Sequence, residues 1–243
     1  MIRLAAVGDI HVGEERDEAL ARDLAQLGGC ADVLLLAGDL TRCGTRAEAA
    51  ELASILDAAP VPVVAVLGNH DHHADQVDEL VGCLESAGVT VLEGGTIVLE
   101  VHGTTLGIAG VKGFGGGFAG ACASDFGEPE MKAFVRHTKD VAEQLRAGLA
   151  SLDTDHRVAL LHYSPVAATL HGEPLEIFPF LGSYLLAEAI DAAGADLVLH
   201  GHAHRGSERG VTPGGVRVRN VARPLIGRSF QLFELDPAAA AIP

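Results

Sequence analysis

The chain has 243 residues, 48% of them apolar, and a formal net charge of −16 from 17 Lys and Arg against 33 Asp and Glu. That length suits one large α/β unit with enough apolar content for a sizeable core. An acidic balance this strong argues against nonspecific binding to duplex nucleic acid, where affinity depends on Lys and Arg displacing condensed counterions.

In chain order, Ile2 to Val7 is an apolar run that predicts a buried strand, and it stops at Asp9-Ile10-His11. A helix is predicted from Asp17 to Leu27, with Gly28 as its stop. A second apolar run, Asp32 to Ala37, ends at Gly38-Asp39 and is followed by a predicted helix from Arg46 to Ala58. The third run, Val61 to Leu67, ends at Gly68-Asn69-His70-Asp71, with a helix from Asp75 to Ala87 and a stop at Gly88. Asp9, Asp39 and Asn69 therefore recur every 30 residues, about the length of one strand, crossover helix and parallel strand. Three parallel strands spaced in this way deliver the three residues to one carboxyl-terminal sheet edge, where open α/β sheets bind ligands.

The pattern then changes to a hairpin, Thr96 to Val101 and Thr104 to Ala109 around His102-Gly103. A long helix is predicted from Glu130 to Ser151, then a strand from Arg157 to Leu161 leading into His162. Ser183 to Ala193 follows as a helix, and Asp196 to Leu199 leads into Gly201-His202-Ala203-His204. The last stretch, Val211 to Leu235, turns at Pro213-Gly214-Gly215 and closes with a strand from Phe230 to Leu235; the tail from Pro237 is expected to fray. Parallel strands early and antiparallel strands late imply two sheets packed face to face with helices outside, in a single domain over residues 1–243.

Taken singly, each polar motif is ordinary turn chemistry after a strand. Five in order, all at predicted strand ends and all rich in Asp, Asn and His, form a candidate site for two cations side by side. Carboxylate, amide oxygen and imidazole without thiolate make a mixed O/N set, suited to Mn, Fe or Zn.

The motif set D-x-H, G-D, G-N-H-[DE], H, G-H-x-H resembles the signature of the calcineurin-like metallophosphoesterase superfamily, and the likeness runs from Asp9 to His204. The resemblance implies a four-layer α/β/β/α sandwich of two mixed sheets, the metallo-dependent phosphatase fold. It implies one metal held by Asp9, His11, Asp39 and His204 and another by Asp39, Asn69, His162 and His202, with Asp39 bridging. His70 would lie outside the metal shell near the leaving group, and Asp71 would orient it or tune its basicity. The implied activity is hydrolysis of a small phosphomonoester or phosphodiester, a nucleotide or cyclic nucleotide among them. Two cations roughly 3.5–4 Å apart neutralise the phosphate oxygens and lower the pKa of a shared water, so the expected nucleophile is a bridging hydroxide. A non-catalytic protein-binding scaffold and a single-strand nuclease are the alternatives. The scaffold is disfavoured because every ligand type and His70 are kept.

One position departs from the commoner family pattern, in which an acidic residue stands three positions beyond the second Asp; here it is Arg42. Arg42 is either a contact to the substrate phosphate or a solvated loop arginine, the ordinary fate of an exposed Arg. Segments 112–130 and 163–182 stand outside the minimal scaffold and are candidates for substrate selection, the first through Gly113-Phe114-Gly115-Gly116-Gly117-Phe118, the second through His171, Phe178 and Phe180. Packing or a homodimer contact is the other reading of their phenylalanines.

His72 and His73 nearly complete the H-x-H-x-D-H motif of metallo-β-lactamase folds, but Ala74 occupies the Asp slot, so both are expected exposed at a helix start. His200 is expected to point away from the metals by strand alternation. No P-loop pattern is present. Cys30, Cys43, Cys83 and Cys122 lack C-x-x-C spacing and are read as reduced, mostly buried residues. Met1 to Val7 is too short an apolar stretch for a signal peptide and no run approaches a membrane span, so a cytoplasmic protein is expected.

Overall fold

Along each strand, residues of alternate parity enter two different apolar compartments, and that alternation sets the layering. The computed structural model describes residues 1–236. Its strands are β1 (Ile2–Val7), β2 (Val33–Ala37), β3 (Val63–Val66), β4 (Val89–Val91), β5 (Thr96–Val101), β6 (Thr104–Val111), β7 (Gly117–Phe118), β8 (Ala121–Cys122), β9 (His156–Leu161), β10 (Leu197–His200), β11 (Arg209–Val211), β12 (Arg217–Asn220) and β13 (Gln231–Leu235). The helices are α1 (Glu18–Leu24), α2 (Arg46–Leu56), α3 (Val77–Ser86), α4 (Pro129–Ser151), α5 (Phe178–Leu181), α6 (Tyr184–Ala193) and α7 (Arg223–Ile226). One sheet has the order β13-β1-β2-β3-β4 and the other β11-β12-β10-β9-β6-β5.

Ile2, Leu4 and Ala6 of β1 and Val33 and Leu35 of β2 meet Leu106, Ile108, Val158, Leu160 and Leu199 of the second sheet, forming the compartment between the sheets. The intervening Ala5, Val7, Leu34 and Leu36 pack beneath Leu20, Leu52, Ile55 and Leu80 of α1, α2 and α3. On the far side, Ala159, Leu161 and Val198 pack beneath Leu145 and Leu149 of α4 and Leu186 and Ile190 of α6. Helices, sheet, sheet and helices follow in that order, which is the four-layer α/β/β/α sandwich expected.

Helix starts follow their caps. The Asp17 side chain accepts the Leu20 N–H at 2.9 Å, and Thr45 with Glu48 forms a reciprocal capping box that opens α2. Both residues satisfy amide groups that the first turn leaves orphaned. α1 is shorter than predicted, ending at Leu24 before a 3₁₀ turn over Leu27–Gly29. β3 begins only at Val63, because Pro62 has no N–H to give to a ladder.

The late strands depart further from expectation. β11 and β12 form the predicted antiparallel pair, yet β12 also runs parallel to β10. β13 crosses back to the first sheet and pairs antiparallel with β1, Ile2 opposite Leu235. The tail from Pro237 lies outside the described residues. The four cysteines form no disulfide, but three are half-buried and Cys122 is exposed, which corrects the expectation that most are buried. Among the described residues no helix is long and apolar enough to cross a membrane.

Leu35 is fully buried between the sheets. Leu35→Ala is expected to cost about 2–5 kcal/mol of unfolding free energy, through lost transfer energy and an unfilled cavity. Denaturant melts should show a lower midpoint with an unchanged slope.

Candidate metal centre

The carboxyl-terminal ends of β1, β2, β3, β9 and β10 lie at one edge, and the five motifs follow those ends. Four motif residues have left-handed backbone: Asp9 (φ 55°), His11 (φ 45°), Asp39 (φ 49°) and His202 (φ 72°). Such conformations cost free energy in non-glycine residues and persist where surrounding contacts over-determine them. Those contacts are present. The Asp9 N–H donates to the Gly38 carbonyl at 2.9 Å, the His11 N–H to Asp39 at 3.1 Å, and the Val12 N–H to Leu40 at 3.0 Å, so the first two loops run zipped together. Glycine permits the closest approaches: a Cβ on Gly68 would collide with the Asp39 carboxylate, and one on Gly201 with that of Asp9.

Asp39 is the hub. It is 1% exposed, and its oxygens lie 3.3 Å from His162 Nε2, 3.8 Å from His11 Nε2 and 3.9 Å from His70 Nε2. The His70 N–H also donates to Asp39 Oδ1 at 2.8 Å. Asp9, 2% exposed, accepts His204 Nε2 at 2.9 Å and the His202 N–H at 2.8 Å. Ligand atoms of Asp9, His11 and His204 form one compact group, those of Asp39, His162 and His202 a second, and those of His11, Asp39 and His70 a third.

Hydrogen bonding fixes which imidazole nitrogens are free. His162 Nδ1 donates to the Ala37 carbonyl at 2.9 Å, so its Nε2 carries a lone pair. That lone pair faces Asn69 Oδ1 at 3.2 Å and Asp39 Oδ1 at 3.3 Å. Three acceptors converging without a proton between them repel one another, and a cation resolves the conflict. Burial pushes His162 and His202 down to about 3, which keeps both rings neutral and available as ligands. Burial pushes the Asp9 carboxyl up to about 6, opposed by its hydrogen bond from His204. Buried carboxylates with no lysine or arginine in ion-pair contact, beside the neutral rings of His162 and His202, are a donor set that fits divalent cations.

The expected partnership of Asp71 with His70 is not what the hydrogen bonds show. Both Asp71 oxygens are occupied: Oδ1 accepts the Thr41 N–H and hydroxyl at 2.8 and 2.7 Å, and Oδ2 accepts the N–H groups of Leu40 and Gly68 at 3.1 and 2.8 Å. It is fully buried and ties the Asp39 loop to the Asn69 loop. The His70 ring is aimed instead by Nδ1 donating to the Arg42 carbonyl at 2.7 Å, leaving Nε2 toward the site. The Arg42 side chain is exposed and its guanidinium packs over Gly13.

His73 is exposed, but His72 is half-buried and its Nε2 has no partner, which corrects the expectation for that residue. His200 faces away from the candidate ligands as expected, buried, with Nε2 2.8 Å from the Thr169 hydroxyl. Tyr163, which sequence reasoning passed over although it follows His162 directly, lays its ring 4.3 Å from that of His202. Segment 163–182 reaches the centre through the Phe180 carbonyl, 3.3 Å from His202 Nε2. Segments 112–130 and 163–182 are joined to each other, the Gly117 N–H donating to the Gly182 carbonyl at 2.9 Å.

A sequence model of the family described as calcineurin-like phosphoesterase matches residues 2–206. No curated protein sequence matches. Among solved structures, a phosphopantetheinyl hydrolase from Mycobacterium tuberculosis is similar at 19% identity and a TM-score of 0.69, over 98% of this chain and 97% of that one. A putative 5'-nucleotidase from Staphylococcus aureus is similar at 15% identity and a TM-score of 0.58, over 90% of this chain and 48% of that one. A purple acid phosphatase from yellow lupin seeds is similar at 14% identity and a TM-score of 0.52, over 97% of this chain and 46% of that one. At these identities the likeness is one of fold.

Two predictions follow from the hydrogen bonds. Asp71→Asn turns one acceptor oxygen into a donor facing N–H groups, and is expected to cost about 2–4 kcal/mol and to lower metal retention, measured by chemical denaturation and metal analysis. His200 is held neutral, its pKa pushed down by burial to about 4. A depressed imidazole contributes stability that is present above the unfolded value near 6.5 and lost as pH falls through the folded value. Replacing His200 with Gln should therefore make the fall in stability of metal-free protein between pH 6.5 and 4 shallower by about 3 kcal/mol, while the likewise depressed His162 and His202 keep their share of it.

Proposed function

Because the chain belongs to the calcineurin-like phosphoesterase family, we propose that it is a dinuclear metal-dependent hydrolase of a small phosphomonoester or phosphodiester. The observation that carries the reading is the unprotonated His162 Nε2 facing Asn69 Oδ1 and Asp39 Oδ1, with Asp39 shared by two of the three ligand groups. Asp9, His11, Asp39 and His204 would hold one ion, and Asp39, Asn69, His162 and His202 the other, with Mn, Fe or Zn suited to the donors. Bound there, such ions supply Lewis acidity toward phosphoryl oxygens and water acidic enough to ionise near neutral pH.

The chain's own residues do the rest. His70, its ring aimed by the Arg42 carbonyl, can carry a proton on Nε2 and hand it to the leaving oxygen. Asp71 is a positioning residue that fixes the spacing of the Asp39 and Asn69 loops. The packing of Arg42 over Gly13 supports a loop role for it rather than a substrate contact. Free cysteines agree with a reducing, cytoplasmic setting. Nucleotides, cyclic nucleotides and phosphopantetheinyl esters belong in the substrate panel, the last because the similar hydrolase is of nearly equal extent.

Protein loaded with Mn²⁺ is expected to hydrolyse an aryl phosphate or its diester, and Asp39→Ala should abolish both metal binding and turnover. His70→Ala should retain metal while kcat falls about 10²–10⁴-fold. Full metal loading with no hydrolysis of any ester, alongside a stoichiometric protein partner, would move the chain to the scaffold reading.

A further inference from the structure

One strand outward from the candidate ligands, on the same carboxyl-terminal edge, β4 and β6 lead into Glu93 and Lys112. These two, with the turn after Asn69 and the face of α4, enclose a cavity of about 450 Å³ lined by His72, Glu93, Lys112, His137, Asp140 and Gln144. Its polar groups are unevenly used. Glu93 accepts the Leu67 N–H at 2.9 Å. The Lys112 ammonium, half-buried, makes no ion pair among the described residues and rests over the rings of Phe114 and Tyr163, 5.4 and 5.9 Å from their centroids. Burial makes its charge costly, with Glu93 and Asp39 pulling the other way. His72 Nε2 is buried with no partner at all. His137, Asp140 and Gln144 are exposed at the mouth, where water screens the Asp140 charge.

The wall of the cavity is tied to the candidate centre through two contacts. The Lys112 carbonyl accepts the N–H groups of both His162 and Tyr163 at 3.0 Å. The Tyr163 ring that lies near the Lys112 ammonium also lies against His202. A half-buried cationic donor and an unpartnered imidazole nitrogen thus belong to one cavity, and the Tyr163 ring stands between the Lys112 ammonium and His202.

We propose that this cavity is a subsite for an anionic group, carboxylate or phosphate, on the leaving portion of the substrate, bound by Lys112 and His72. The proposal rests on the hydrolase reading above and narrows it to phosphoesters with a second negative charge beyond the scissile bond. Phosphate chemistry itself does not require such a group, so the cavity separates substrates that share the same reacting phosphoryl group.

Three esters test it with Mn²⁺-loaded protein: phenyl phosphate, 4-carboxyphenyl phosphate and 1,4-phenylene bisphosphate. KM should be lower by about tenfold, the size of one charge-assisted hydrogen bond, for one or both of the esters that carry a second anionic group; which of them gains identifies carboxylate or phosphate. Lys112→Gln should close that gap and Lys112→Arg should keep it. Equal KM values in the wild-type protein, or a gap that survives Lys112→Gln, would overturn the subsite while leaving the hydrolase reading intact. A binding measurement decides the matter without turnover: in metal-free protein, benzoate or inorganic phosphate should shift the His72 and His137 ring resonances saturably, and Lys112→Gln should abolish the shift. Unmoved resonances would sink the subsite whether or not the protein hydrolyses anything, and absence of hydrolysis alone would count only against the function.

Discussion

A carboxylate buried without a lysine or arginine is the constraint around which this molecule is arranged. Asp39 is surrounded by three imidazole nitrogens at 3.3, 3.8 and 3.9 Å and receives one backbone N–H. Isolated burial of such a charge costs several kcal/mol. The neutral imidazole of His162 repays little of this, because it brings a lone pair rather than charge. The folded chain therefore holds free energy that only a cation can release, and any cation that binds the folded state alone stabilises it by mass action. On the proposed reading, metal affinity and fold stability are two expressions of the same buried charges.

Holding those charges in place requires a frame stiffer than ordinary loops. Strained backbone at Asp9, His11, Asp39 and His202 is tolerated because the loops are cross-tied by their own amides and by Asp71, which accepts from three residues of two different loops. The strain is borne by the sandwich beneath, whose strands are buried on both faces. Precise placement of side chains on rigid strand ends is what catalysis of phosphate transfer asks of a protein, since the gain comes from positioning and charge rather than covalent chemistry.

The layering and the candidate ligands were legible in the sequence because each depends on local order: apolar runs define strands, and the polar residue just past a run lands at a sheet edge. The hydrogen-bond partners of Asp71 were not legible, for the opposite reason. Its neighbour in sequence is His70, but its partners are Leu40 and Thr41, about 30 residues earlier, and sequence spacing carries no sign of that contact. The return of β13 to the first sheet is likewise a long-range pairing, Leu4 opposite Phe233, which strand periodicity cannot assign to one sheet or the other. His72 looked like a surface residue at a helix start; it is half-buried and lines a cavity with Lys112 and residues of α4, elements far along the chain.

On the proposed reading, the orienting partners of the imidazoles account for how a chain of net charge −16 would attract an anionic ester. In many metal sites the far nitrogen of a histidine is held by a carboxylate. Here His162 is held by the Ala37 carbonyl, His202 by that of Phe180 and His70 by that of Arg42. Backbone carbonyls fix the tautomers without adding negative charge. Asp9 and Asp39 are then the only carboxylates in the three ligand groups, so two divalent cations would leave the centre with an excess of positive charge, four against two. At short range that local excess outweighs the acidic surface, which is screened beyond roughly 10 Å at ordinary ionic strength. Replacing any one of those carbonyl contacts by an acidic side chain would tighten the imidazole and cancel part of the positive field of the metal-loaded centre on that reading.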